Sequence, residues 1–334
     1  MQFVPIMVVG FAAALGLTPL SRQIAFRLGQ VDKPTSRKIH HDYKPLMGGL
    51  AIYVAFALAL VLFAPPEALV KFGAVLLGAA FLALIGFLDD RYTLSPRLRL
   101  LAMILPVVMI ISAGIQIRLF RNPLIDYPLT VFWVLAIINA VNFLDNMDGL
   151  AAGLTAFAAA FFMVIALMEG LTLVSSLAAA LLGSAVGFLV YNFNPANTFM
   201  GDMGALVLGF VLAVLGIMLR FNTPPGVTWM VPVLVLALPA FDINLVILTR
   251  LLEKRPLTQA GQDHTSHRLL SLGFSQRQTL FILYGACGLF GTIGLLVGAA
   301  PPDSAFWLGI VSLMVLGLLF LTMIFIRERF QKHS

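Results

Sequence analysis

Five acidic residues stand at the ends of long apolar stretches in a chain otherwise poor in charge, each within a polar knot: FLDDRYTLSPRLR (Asp89, Asp90), NAVNFLDNMDGL (Asp145, Asp148) and NPANTFMGDMGAL (Asp202). An ionisable group at the end of a membrane helix is expensive to desolvate and marks a functional site by default. Carboxylates that converge at low dielectric repel, so either some are protonated or a cation lies among them. Oxygen ligands from Asp and Asn, with His confined to a separate loop, suit Mg2+ or Mn2+ better than Zn2+. Mg2+ keeps several waters and binds through one or two carboxylates plus phosphate oxygens, so the pattern implies a phosphorylated ligand. Arg97, Arg99, His267 and Arg268 are candidates to complement those oxygens and to steady charge at phosphorus.

Each knot also has a plain structural reading. Asp89 and Asp90 could pair with Arg91 and Arg97 at a helix end. Asp145 and Asp148, three apart and so on one helical face, could cap a helix with Asn146 and Gly149 as turn formers. Asp202 follows Gly201 and could cap the apolar run behind it. His264 and His267 could be solvated loop residues. Three such knots on one face are harder to explain this way than any one alone.

Membrane helices must position these residues. Sixty per cent of the 334 residues are hydrophobic, 11% are charged and the mean hydropathy is +0.99, which a soluble domain of this length does not reach. Runs near the roughly 20 residues needed to cross a bilayer lie at 3–20, 46–64, 70–88, 98–117, 129–144, 151–168, 172–190, 202–220, 228–249, 279–298 and 304–325. The expected fold is therefore all-α and polytopic, with about eleven transmembrane helices and the whole of 1–334 forming one integral membrane domain. The runs lack the period-2 alternation of a membrane barrel.

Basic residues orient the chain. With the N-terminus outside, seventeen Lys and Arg fall in inner loops, among them Arg22, Arg27, Lys38, Lys44, Arg91, Arg97, Arg99, Arg250, Arg255, Arg268 and Arg327, against Lys71, Arg118, Arg121 and Arg220 outside. This asymmetry puts the C-terminus and all three carboxylate knots on the cytoplasmic side. The net charge of +6 then needs no nucleic acid to explain it. The first helix lacks a basic leader and is expected to be an uncleaved anchor. Cys287, the single cysteine, lies in an apolar run and supports neither a disulfide nor a metal thiolate. Gly285, Gly288, Gly291, Gly294 and Gly298 recur at spacings expected to let helices approach.

Six strings now carry a resemblance, in order along nearly the whole chain: RKIHHDYKPLMGG from Arg37, FLDDR from Phe87, NAVNFLDNMDGLAAG from Asn139, FMGDMGALVLG from Phe199, PAFDINLVILTR from Pro239 and DHTSHRL from Asp263. Together they resemble the polyprenyl-phosphate N-acetylhexosamine-1-phosphate transferases, glycosyltransferase family 4, in the branch that starts surface glycans. The resemblance implies an enzyme that moves a sugar 1-phosphate, most simply GlcNAc-1-phosphate, from a UDP-N-acetylhexosamine to undecaprenyl or another polyprenyl phosphate, releasing UMP. It further implies Mg2+, with Mn2+ as the alternative, held by Asp202 and Asn142, and Asp89 and Asp90 as the catalytic pair. Arg99, Asn139, Asp145, Asp148, His264, His267, Arg268, Lys38 and Lys44 would bind substrate. One direct displacement and a covalent aspartyl phosphate both stay open, and a homodimer is allowed.

Three departures bear on sugar identity and not on the carboxylates. Asn146 stands where Gly is usual, Ala205 where Ser is common, and the histidine loop is less dense than in relatives. Two other classes share single features with the chain. A CDP-alcohol phosphotransferase shares the Asp-x-x-Asp-Gly fragment at 145–149 but needs an Arg soon after it and two further Asp residues downstream. A secondary transporter needs ionisable groups near the bilayer midplane and broken helices.

Overall fold

The computed structural model describes residues 3–32, 43–63, 68–221, 225–256 and 261–327; Lys38 lies outside them. The chain divides into two compact units, Met1–Met218 and Leu219–Ser334.

The first unit holds α1 (Phe3–Leu28), a two-residue pair of strands β1 (Val31–Asp32) and β2 (Lys44–Pro45), then α2 (Gly48–Phe63), α3 (Leu69–Tyr92), α4 (Pro96–Ser112), α5 (Pro123–Leu144), α6 (Leu150–Met168), α7 (Thr172–Asn192) and α8 (Gly201–Met218). The strands pair antiparallel, Val31 with Pro45 and Asp32 with Lys44. Beyond Asp202 in its first turn, α8 is apolar on every side and is accordingly the buried axis of this unit, with each residue from Met203 to Met218 inside. It packs chiefly against α3 and α5, and α2 joins it. Main chains meet closely there because glycines remove the side chains. Gly86 of α3 lies against the backbone of Asp202 and Met203, and Gly49 of α2 against Gly204, so a methyl at either position would overlap main-chain atoms.

The second unit holds α9 (Pro225–Thr228), α10 (Met230–Val235), α11 (Ala237–Leu252), α12 (Thr265–Ser271), α13 (Gln276–Ala299) and α14 (Pro302–Ile326). α10 packs on α13, and α11 meets α14 through Phe241 and Phe320, whose rings stand edge to face at 5.5 Å. The glycine run of α13 is used unevenly. A Cβ on Gly294 would stand 3.1 Å from Val235 Cγ2, whereas one on Gly285 would meet open space.

Among the described residues, eight helices are long and apolar enough to cross a membrane. The difference from the expected eleven has a local origin. α2 and α4, at 16 and 17 residues, fall short of that length. The expected single helix over 228–249 is broken into α10 and α11 at Leu236. Pro239 explains the break, because it has no N–H to give and its ring crowds the carbonyl one turn earlier, that of Val235. Two boundaries matter for the site: α3 runs to Tyr92, so Asp89 and Asp90 belong to its last turn, and α5 begins at Pro123, capped by Asn122. The chain is an all-α, multi-pass membrane protein.

Candidate active site

Neighbours on an α-helix point about 100° apart, so the adjacent carboxylates of α3 face different partners. Asp89 is buried and closes its own turn: Thr93, in the left-handed region at φ 48°, donates its N–H to the Asp89 carbonyl at 2.8 Å, and Leu94 N donates to Asp89 Oδ1 at 2.8 Å. Ser95 then caps α4 and Pro96 opens it, which brings Arg99 back beside Asp89. Arg99 Nη1 donates to Asp89 Oδ2 at 3.0 Å and to Asp202 Oδ2 at 3.4 Å. Its Nη2 donates to Asn142 Oδ1 at 2.5 Å, and Asn142 Nδ2 donates to Asp202 Oδ1 at 2.5 Å. Asp89, Arg99, Asn142 and Asp202 thus form one network drawn from α3, α4, α5 and α8.

Asp90 faces the other way. Its Oδ1 accepts Asp202 N at 3.1 Å and its Oδ2 accepts Met203 N at 3.4 Å. These are first-turn N–H groups of α8, which have no partner inside their own helix. The cap that the sequence offered to Asp202 therefore comes from Asp90, and Asp202 sits inside the first turn with its carboxylate turned to Asn142 and Arg99. The pairing of Asp89 and Asp90 with Arg91 and Arg97 does not occur: Arg91 donates to the Leu28 carbonyl at 3.3 Å and Arg97 is exposed.

Asp145 and Asp148 are half-buried and lie in the turn between α5 and α6, not on one helical face as their spacing suggested. Asp145 caps the C-terminus of α5, and Gly149 at φ 78° opens α6. Burial, and after it the charges of Asp202 and Asp148, push the Asp145 carboxyl up to about 7. Asp148 Oδ2 accepts Ala196 N at 2.9 Å and Asn194 Nδ2 at 3.3 Å. Asn139, one turn before Asn142, donates back to the Leu135 carbonyl at 2.7 Å.

Two supports escaped the sequence reading. Asn192 is buried and bridges two loops, accepting Gly149 N at 3.1 Å and donating to the Thr198 carbonyl at 3.0 Å. The segment after Lys44 is stitched to the approach of α8: Phe199 N donates to the Pro45 carbonyl at 2.9 Å, and Gly48 N and Gly49 N donate to the carbonyls of Phe199 and Met200 at 3.0 Å each. Lys44 is thereby held next to a segment that fixes Asp202. Neither support carries a charged signature, and only the fold brings the strings together.

The histidine loop belongs to the second unit and has its own network. Asp242, wholly buried on α11, accepts His264 Nδ1 at 2.7 Å and Thr265 N at 2.7 Å. His264 is therefore buried and oriented, not a solvated loop residue, and the His267 ring lies 6.1 Å from it. Burial, and then His264, lower the His267 pKa. Asp263 accepts Arg250 Nε at 3.2 Å and Arg255 Nη2 at 2.6 Å, with Arg327 Nη2 at 3.2 Å. Burial alone would raise its carboxyl, but these arginines hold it below the ordinary carboxylate range. Arg268, expected at a substrate phosphate or sugar, has no exposed surface. Its Nε donates to the Asp263 carbonyl at 3.1 Å, its Nη2 to Thr249 Oγ1 at 2.7 Å and its Nη1 to the Met323 carbonyl. Burial, and then the Arg327 charge, depress its pKa to about 10, which still leaves a cation at neutral pH. The guanidinium pins α12 to α11 and α14.

The profile of glycosyl transferase family 4 matches residues 72–220. A probable undecaprenyl-phosphate N-acetylglucosaminyl 1-phosphate transferase of Bacillus subtilis (strain 168) is 34% identical over 318 residues, covering 92% of this chain and 87% of that one. The chain belongs to glycosyl transferase family 4. Other similar members are a decaprenyl-phosphate N-acetylglucosaminephosphotransferase of Mycolicibacterium smegmatis (30% identical; 83% of this chain, 78% of that one) and an undecaprenyl-phosphate alpha-N-acetylglucosaminyl 1-phosphate transferase of Escherichia coli K12 (29%; 83% and 78%). As a family 4 member the chain is a transferase, which sets aside the carrier and CDP-alcohol readings. The matched stretch holds the entire carboxylate network and ends before the histidine loop.

The donor set fits a hard divalent cation. Asp89 Oδ2, Asp202 Oδ2 and Asn142 Oδ1 all point at one guanidinium, and all are oxygens. Among the described residues no group of three or more His, Cys, Asp and Glu is arranged for a metal. The carboxylate of Asp202 and the amide oxygen of Asn142, with the Asp89 carboxylate beside them, are nevertheless hard oxygen donors of the kind Mg2+ takes when phosphate oxygens and water complete its shell.

Proposed function

We propose that this family 4 transferase, acting as one domain over residues 1–334, moves GlcNAc 1-phosphate from UDP-GlcNAc to undecaprenyl phosphate at the cytoplasmic face, releasing UMP. The observation that carries the reading is the Asp89–Arg99–Asn142–Asp202 network, a polar centre built by four apolar helices in a chain whose relatives bear transferase names. A soluble donor and a lipid acceptor can both reach a site at the ends of membrane helices. The excess of Lys and Arg in the same loops supports an inner position for that end.

In the reaction an oxygen of the lipid phosphate forms a bond to the sugar-bearing phosphorus of the donor, and the bond from that phosphorus to the bridging oxygen breaks. UMP leaves with the electron pair. The acceptor is mostly ionised near pH 7, as phosphate monoesters with a second pKa near 6 are, so Asp89 needs only to orient it or take its last proton. Asp202 and Asn142 would hold Mg2+, or Mn2+, and the ion when bound supplies positive charge to diphosphate oxygens. Arg99 gives two donors to phosphate oxygens as charge builds. Asp90 acts by fixing the first turn of α8, and so the carboxylate of Asp202. Asn139, Asp145 and Asp148 line the nucleotide-sugar side, with Lys44 and Lys38 as further phosphate contacts. His264 and His267 bind diphosphate or sugar, and Arg268 contributes by holding their loop.

The test is to incubate membranes carrying the protein with a panel of UDP-sugars, polyprenyl phosphate and Mg2+, and to identify the lipid product by mass. A GlcNAc diphosphate lipid is expected with UDP-GlcNAc. Absence of any lipid-linked diphosphate sugar across the panel would overturn the reading.

A further inference from the structure

We infer that Arg99 is the site's tethered counter-cation: it holds the ligand oxygens together before a divalent ion arrives, and it must leave them when the ion binds. The inference rests on the proposed metal site but concerns how that site is prepared.

The acceptors of one guanidinium carry the argument. Arg99 has its two terminal nitrogens on Asp89 Oδ2, Asp202 Oδ2 and Asn142 Oδ1, at 3.0, 3.4 and 2.5 Å. Asp202 and Asn142 are the residues proposed to hold the cation and Asp89 is the acid beside them; all three oxygens converge on the guanidinium, and the Asp89 and Asp202 carboxylates also meet each other. Asn142 is already turned with its amide nitrogen on Asp202 Oδ1 and its oxygen inward, so no amide flip is needed to offer that oxygen to an ion. Without a cation beside them, the carboxylates of Asp89 and Asp202 would repel at low dielectric or have to share a proton. Arg99 supplies that charge from ten residues beyond Asp89, across a turn closed by Asp89 itself.

A guanidinium and a divalent ion cannot share these oxygens. At contact distance their like charges repel strongly, even when the surroundings screen them as a protein surface does. The Arg99 side chain is 19% exposed and stands in the first turn of α4, at the loop end of the helix, so it has an open side to turn toward. Once displaced, its donors match phosphate oxygens in the same fork geometry that now meets carboxylates. Arg99 is in this sense a positioning residue for the metal site first and a phosphate ligand second.

The experiment is Mn2+ binding to the detergent-purified full chain, followed by electron paramagnetic resonance of free Mn2+, with melting temperature read in parallel with and without Mn2+. Arg99→Gln is expected to bind Mn2+ about tenfold more tightly or better, since the competing charge is gone, to melt lower than wild type in chelator, and to gain more from Mn2+ than wild type does. Arg97→Gln removes the same charge from an exposed neighbouring position and is expected to change affinity by roughly twofold or less, because salt screens it. Arg99→Lys keeps the charge but not the fork; it should bind Mn2+ more tightly than wild type and less tightly than Arg99→Gln, and it serves alone if Arg99→Gln does not survive purification. Unchanged or weaker Mn2+ binding in the Arg99 variants, or a gain no larger than that of Arg97→Gln, overturns the inference. Wild-type protein that binds no Mn2+ removes the metal reading itself, a separate result.

Discussion

The Asp90 carboxylate accepts the backbone N–H of Asp202 at 3.1 Å, so a residue of α3 caps a helix that begins far downstream in the chain. The two adjacent acids of α3 thereby divide their work, Asp89 toward Arg99 and Asp90 toward the start of α8.

Removing that cap should reach the chemistry through Asp202. Asp90→Ala is expected to destabilise the chain by about 1 kcal/mol, as lost helix caps do, and to weaken Mn2+ binding together with turnover. Titration of the purified variant with Mn2+ checks this, and wild-type affinity would show that Asp202 holds its place without Asp90.

Gly201 has φ +67°, and a Cβ there would collide with Asp90 Oδ2 and stand 2.6 Å from the Leu46 carbonyl. Gly201→Ala combines a left-handed residue, at roughly 1–2 kcal/mol, with displacement of the capping carboxylate. Turnover is expected to fall more than tenfold, on the order of the loss from misplacing a reacting group by an ångström, while the protein still inserts and purifies. A rate assay on equal amounts of folded protein decides.

Arg268 has no exposed surface and three protein acceptors. Arg268→Ala strands those acceptors, at about 1–3 kcal/mol, so a lower melting temperature and faster proteolysis near α12 should accompany any rise in KM for the nucleotide sugar. Arg268→Lys should rescue little, because an ammonium cannot reproduce the fork. A KM change with unaltered melting would return Arg268 to the substrate.

Acid should loosen the histidine loop. The Asp263 carboxyl is held below its ordinary value by Arg255 and Arg250 against the opposing effect of burial. A depressed carboxyl contributes stability that is complete above its unfolded pKa, about 3.9, and that is lost as pH falls through the lower folded value. Asp263→Asn should therefore melt below wild type at pH 7, and the gap should close as pH drops below about 4. A gap constant from pH 7 to pH 3 would contradict the assignment.

Much of this was legible in the chain. Charges are rare enough here that Asp89, Asp145, Asp148 and Asp202 stood out, and hydropathy located most helices. Pro239 could have been read as a breaker within 228–249, but the apolar run around it masked the signal. The division between Asp89 and Asp90 was not legible, because it depends on which side of the last turn of α3 meets α8 at Gly86. Nor was the burial of Arg268, since a basic residue in a polar loop reads as solvated until Thr249 and the Met323 carbonyl come to meet it. Asp242 lay in a quoted string without a role, and only its contact with His264 Nδ1 at 2.7 Å supplies one.

The most direct measurement compares purified wild-type protein with Asp202→Asn, counting UMP released against lipid-linked sugar diphosphate formed from UDP-GlcNAc, undecaprenyl phosphate and Mg2+. Wild type should give the two products in equal amounts, and Asp202→Asn should give neither while melting near wild type. Turnover at the wild-type rate by Asp202→Asn would contradict the account, since the centre built around Asp89, Arg99, Asn142 and Asp202 would then not be where the phosphate is transferred.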